Sequence, residues 1–64
     1  MVKVNGKNRN VSGLSVSKCL ELLDYDFRTV VVERNMEIVP KTEYDITVIQ
    51  ENDEIEIVSF MGGG

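Results

Sequence analysis

The sequence predicts an α+β fold: a mixed, curved sheet of four to five strands with one main helix packed across it. Two observations and one packing argument lead there. Short apolar runs recur along the chain, separated by turn residues such as Asn5-Gly6 and Arg34-Asn35. A single stretch, from Val16 to Leu23, carries apolar residues at helical spacing. One helix and one sheet each have one apolar face to bury, and packing them together buries both.

The first strand is Met1 to Asn5, with Val2 and Val4 on one face. Asn5-Gly6 then makes a hairpin turn, because both central positions of the favoured turn need positive φ. Asn8 to Val11 returns as a polar edge strand with solvated faces. Gly13 breaks it, and Ser15 or Ser17 caps a helix of about three turns. Val16, Leu20 and Leu23 form its stripe, with Cys19 and Leu22 beside it. Asp24-Tyr25-Asp26 ends the helix, since aspartate is unfavourable at the negative end of the dipole.

Thr29 to Glu33 contains three β-branched residues in succession and reads as a strand. Arg34-Asn35 turns the chain, and Met36 to Val39 returns until Pro40, which cannot donate to a ladder. Lys41 to Asp45 is irregular, with a helical turn as one option. Ile46 to Ile49 is expected to be a short strand, and Glu51-Asn52-Asp53 a polar turn. Glu54 to Phe60 is the last strand, with Ile55 and Ile57 on one face and Glu54, Glu56, Val58 and Phe60 on the other. The one helix returning beside the first hairpin suits a β-grasp arrangement. Residues 1–60 are expected to form this domain, and residues 61–64 a flexible C-terminal glycine tail.

Composition narrows the function. The chain has 64 residues, enough for one small domain, and a domain of that size buries only about 60% of its unfolded surface. A net charge of −4 argues against nucleic-acid binding, which needs a basic footprint. No run approaches the roughly 18 apolar residues of a membrane span. The single cysteine and the lack of a signal-like start favour a reducing, cytoplasmic location. No histidine is present to activate Cys19, which reads as a core residue. Glu51, Asp53, Glu54 and Glu56 lack the spacing of a calcium loop and read as a solvated acidic face. No catalytic pair, metal cluster or cofactor motif is found.

The tail carries the remaining chemistry. Gly62, Gly63 and Gly64 follow the last strand directly. A phosphate-cradling loop would need a helix after its glycines. Two readings stay open on the residues alone: an ordinary frayed terminus, or a thin arm presenting the Gly64 carboxylate as the reactive group. Val58, Phe60 and Met61 sit beside it. If Ile55 and Ile57 face the helix, Val58 and Phe60 are left in solvent as a partner-docking surface.

The chain resembles the ThiS family of sulfur carriers in thiamin biosynthesis, which share the ubiquitin-like β-grasp fold. The resemblance rests on the Asn5-Gly6 opening, Val31-Val32-Glu33-Arg34-Asn35, Ile38-Val39-Pro40, Asn52-Asp53-Glu54-Ile55 and the end Phe60-Met61-Gly62-Gly63-Gly64. The span from Tyr25 to Arg28 is short for the family. The resemblance implies a protein co-substrate, not an enzyme. A ThiF-like adenylyltransferase would use ATP to adenylate the Gly64 carboxylate, and the carrier itself would hold no cofactor. A sulfur donor protein would displace AMP to leave a thiocarboxylate, and thiazole synthase (ThiG) would accept the sulfur. Alternatives are a MoaD-like small subunit of molybdopterin synthase, a ubiquitin-like protein modifier joined through Gly64, and a plain interaction domain. MoaD-like chains tend to be longer, with a proline before the diglycine that this sequence lacks.

Overall fold

The last strand in sequence occupies the middle of the sheet. The computed structural model describes residues 1–60. Its strands are β1 (Val2–Val4), β2 (Lys7–Arg9), β3 (Val30–Arg34), β4 (Glu37–Ile38) and β5 (Glu54–Ser59), and its helix is α1 (Val16–Leu22). Short 3₁₀ turns cover Phe27–Thr29 and Lys41–Glu43. The five strands lie in the order β2-β1-β5-β3-β4. β1 and β5 are parallel, and every other pairing is antiparallel. This is the mixed five-stranded sheet with one helix that the sequence leads one to expect.

Alternation decides which face is covered. Val2 and Val4 of β1, Val30 and Val32 of β3, and Ile55 and Ile57 of β5 are buried. They form one core with Val16, Cys19 and Leu20 of α1 and with Val11, Val39, Tyr44 and Ile49 from the connections. Their neighbours along each strand turn to the other face, as a period of two requires. Burial pushes the Cys19 thiol up, so it stays protonated as a core group.

Several boundaries differ from the sequence expectation. α1 has 7 residues, two turns rather than three. Ser15, not Ser17, is its cap, accepting from Lys18 N at 3.1 Å. At the other end Asp24 takes φ 69°. The Tyr25 N–H then donates to Leu20 O at 2.8 Å and the Asp24 N–H to Glu21 O at 3.1 Å. That pair of bonds is a Schellman stop, here with aspartate in the position glycine usually takes. It ends the helix at Asp24, where the sequence predicts the stop, and Leu22 in the last turn faces outward, 63% exposed.

β2 runs from Lys7 to Arg9 with all three residues exposed, and Val11 leaves the sheet to enter the core. The β3–β4 turn falls on Asn35-Met36, both at positive φ, so Met36 is outside β4 and 91% exposed. The expected strand at 46–49 is not one. Ile46 and Val48 are exposed and only Ile49 is buried. The segment instead tracks the lead-in to α1: Gly13 N donates to Ile49 O, Ile49 N to Leu14 O and Val16 N to Thr47 O. Its hydrogen bonds are taken there, so it never joins the sheet.

Candidate functional site at the end of β5

The strand that precedes the glycines is held firmly at its beginning. Asp53, expected on a solvated acidic face, is 6% exposed. Its carboxylate accepts from Gln50 N at 2.8 Å, Arg34 Nε at 2.7 Å and Asn35 Nδ2 at 3.0 Å. Burial works to raise its pKa, but these donors outweigh burial and hold it below the ordinary carboxylate value. Asn35 closes the clamp, its Oδ1 accepting from Glu54 N at 3.0 Å. Asn52 at φ 71° turns the chain so that Asp53 points inward. The turn residues were legible in sequence; the inward carboxylate was not, because its two side-chain partners, Asn35 and Arg34, lie 18 and 19 residues away.

Further along, β5 is held by a side chain instead of a strand. β1 pairs with β5 only at Glu54 and Ile55. Beyond that the Asn5 side chain substitutes: Oδ1 accepts from Ile57 N at 2.7 Å and Nδ2 donates to Ile57 O at 3.2 Å. Asn5 Nδ2 also approaches the Tyr25 hydroxyl at 3.4 Å. The same asparagine adopts φ 51° to open the hairpin. Its turn role is a sequence signal; its pairing with Ile57 is visible only in three dimensions.

At the far end, β5 keeps β3 and little else. Phe60 N donates to Thr29 O at 2.9 Å. Val58 is 54% and Phe60 45% exposed, on the face opposite Ile55 and Ile57. Half-buried Val31 lies beside Val58 across the strands. Lys41 was not singled out in sequence. Its Nζ donates to Phe27 O at 2.9 Å and Val30 O at 2.7 Å, and sits 6.0 Å from the Phe60 ring centroid. It therefore pins the loop beneath Phe60 and places a cation over the ring. Met61, Gly62, Gly63 and Gly64 lie outside the described residues.

The outer face of the sheet changes character along β5. Glu54 and Glu56 project from its first half, and Glu33 stands opposite Glu56 across β3. Like charges placed so are mutually unfavourable. Neither Glu33 nor Glu56 joins an ion pair among the described residues. Lys3 of β1 stands beside Glu54, so the face runs from a net acidic patch of three glutamates and one lysine to the apolar pair Val58 and Phe60. Among the described residues no cluster of three or more His, Cys, Asp or Glu side chains could hold a metal, and no helix is long and apolar enough to cross a membrane.

Comparison with known proteins agrees with this geometry. Among solved structures, the crystal structure of the thiamine biosynthesis protein ThiS from Geobacter metallireducens superposes with a TM-score of 0.83 at 34% identity, covering 98% of this chain and 97% of that one. The sulfur carrier protein ThiS of Bacillus subtilis is 36% identical over 67 residues, with all of both chains covered. A thiazole synthase of Paramagnetospirillum magneticum is 47% identical over 62 residues; the match takes in 95% of this chain but 19% of that protein, so the chain spans about a fifth of its length. The family model described as the ThiS family matches residues 2–64. The chain belongs to the ThiS family.

Proposed function

We propose that the chain is a sulfur carrier of thiamin biosynthesis, a cytoplasmic co-substrate whose reactive group is the carboxyl of Gly64. The observation that carries this reading is end-to-end similarity to the Bacillus subtilis sulfur carrier. A ThiF-like adenylyltransferase joins the Gly64 carboxylate to the α-phosphate of ATP and releases pyrophosphate. The carboxylate is a poor electrophile, and the acyl adenylate gives its carbon a good leaving group. Sulfide delivered by a sulfur donor protein attacks that carbon and expels AMP, leaving a thiocarboxylate. Thiazole synthase accepts the sulfur. ATP belongs to the partner's site.

The residues of this chain present the carbon. Gly62 and Gly63 are slim enough to thread into a site that excludes water. Ordering the tail costs entropy, which docking of the body must offset. Val58, Phe60 and Met61 supply that docking surface, and Glu33, Glu54 and Glu56 favour a partner face carrying basic residues. Residues 1–60 act as the handle and 61–64 as the arm.

The thiazole synthase that contains a stretch similar to this chain favours the thiazole route over a molybdopterin one. Intact mass spectrometry after incubation with ATP, a ThiF-like enzyme and a sulfur donor tests the reading. A mass gain matching one oxygen replaced by sulfur, located on Gly64, supports it. Covalent ladders with other proteins, or no sulfur gain, overturn it.

A further inference from the structure

Among the described residues, β5 is left with an uncovered main-chain edge at Ser59. Asn35 N donates to Glu54 O at the start of the β3–β5 ladder, and Phe60 N donates to Thr29 O at its end. The register between them is unbroken, from Arg34↔Ile55 to Val30↔Ser59. In an antiparallel ladder the hydrogen-bonded positions alternate. Residues 54, 56, 58 and 60 therefore turn their main-chain groups toward β3, and Ile55, Ile57 and Ser59 turn theirs toward β1.

The first two of those three are satisfied. Ile55 O accepts from Asn5 N at 2.9 Å, and the Asn5 side chain takes both main-chain groups of Ile57. β1 has ended at Val4, and the chain has turned away into the hairpin. Ser59 is the next rung. It is solvent-exposed, and no hydrogen bond from the described residues reaches its N–H or C=O on that side. β5 is thus a central strand at its start and an edge strand at its end, immediately before the glycines.

We infer that this rung is a docking point for an extended main-chain segment of the adenylyltransferase that activates Gly64. The inference rests on the sulfur-carrier reading. An enzyme reaching the terminal carboxyl must come alongside β5. The β3 side is already occupied through Phe60, so the free side is the one Ser59 faces. A donor and an acceptor on the same residue are what a partner strand reads, and strand addition to an open edge is a general mode of peptide recognition. Main-chain pairing at Ser59 sets the register of everything after it. The apolar pair Val58 and Phe60 supplies area on the sheet's outer face, and the Ser59 rung supplies alignment.

Ser59→Pro and Ser59→Ala separate the main chain from the side chain. Proline removes the N–H that points to the open edge and leaves the β3 ladder intact. The expected result is a carrier of near wild-type stability whose rate of thiocarboxylate formation with the adenylyltransferase falls about tenfold, as loss of a docking hydrogen bond implies, while Ser59→Ala works as wild type. Equal rates for Ser59→Pro and wild type overturn the inference and leave the sulfur-carrier reading standing. No sulfur gain by the wild type overturns both. Hydrogen exchange on the unmodified chain gives a second readout independent of proline. The Ser59 amide should exchange readily in the free carrier and become protected in the complex, with Val58 protected in both. A Ser59 amide that stays unprotected in the complex overturns the inference. So does concentration-dependent dimerisation that Ser59→Pro abolishes, which would assign the edge to a second copy of this chain.

Discussion

The two ends of β5 are built by opposite rules. At the beginning, the main chain and the Asp53 carboxylate are fully engaged: Asp53 gathers three donors, Asn35 returns a bond to Glu54 N, and Lys3 N reaches Asp53 O at 3.0 Å. At the end, Val58 and Phe60 face solvent and Ser59 faces an open edge. The strand is anchored where it enters the sheet and displayed where it leaves. A carrier needs both, because a displayed arm is useful only if its root does not move.

Breaking the anchored end should cost the most stability. Asp53→Ala strands Arg34 and leaves the Asn35 amide without its acceptor. It should lower folding stability by about 3 kcal/mol, discounted for the partial exposure of Arg34, as read by urea denaturation. The same clamp gives a pH signature. The folded-state pKa of Asp53 lies below its unfolded value, which is about 3.9. Its stabilisation is therefore complete above that value and is lost as pH falls through the lower, folded one. Asp53→Asn should flatten the acid limb of the stability profile.

The middle of β5 gives the next effect. Asn5→Ala removes both hydrogen bonds to Ile57 and puts a less tolerant residue at positive φ, and should cost about 2 kcal/mol. Asn5→Gly keeps the turn and loses only the side chain, so its cost should be about half as large. Thermal unfolding of the pair measures how much of Asn5 is turn and how much is strand substitute. Equal costs would show that the turn preference adds nothing, and an Asn5→Gly variant as stable as wild type would show that the pairing with Ile57 adds nothing.

The displayed end should invert the pattern. Phe60→Ala and Val58→Asp should each cost no more than about 1 kcal/mol of stability, since both side chains are about half exposed and lose only the contacts with Lys41 and Val31. They should raise the KM for the adenylyltransferase about tenfold, the size expected of a docking residue. Loss of stability without loss of docking would contradict the contrast between the two ends. Leu22→Gln serves as the smallest effect. Although the residue is apolar and helical, it is exposed, and neither stability nor docking should change beyond about 0.5 kcal/mol.

Much of this was legible because it depends on neighbours in sequence. The Asn5-Gly6 hairpin, the β-branched run at Val30-Val31-Val32 and the alternation of Ile55 and Ile57 are local patterns with a single physical reading. The elements that differ from the expectation do so for two separate reasons. The segment 46–49 has strand composition, yet the lead-in to α1 takes its hydrogen bonds. The helix reads as three turns until Asp24 adopts a left-handed conformation that glycine normally supplies. In the first case tertiary pairing overrode a local preference; in the second a local hydrogen-bonded stop formed on a residue that rarely adopts it.

The sequence by itself determined the fold class and the covered face of β5, because period-two alternation and turn chemistry are properties of adjacent residues. Only the tertiary structure decided that Asp53 is a buried anchor, that Asn5 doubles as a strand, that the Lys41 ammonium lies against the Phe60 ring, and that Ser59 has no main-chain partner on the β1 side among the described residues. Those facts depend on partners brought together from 11 to 52 residues away. Such partners meet only when the last strand is laid between the first, parallel to it, and β3, antiparallel to it, and no local pattern encodes that meeting.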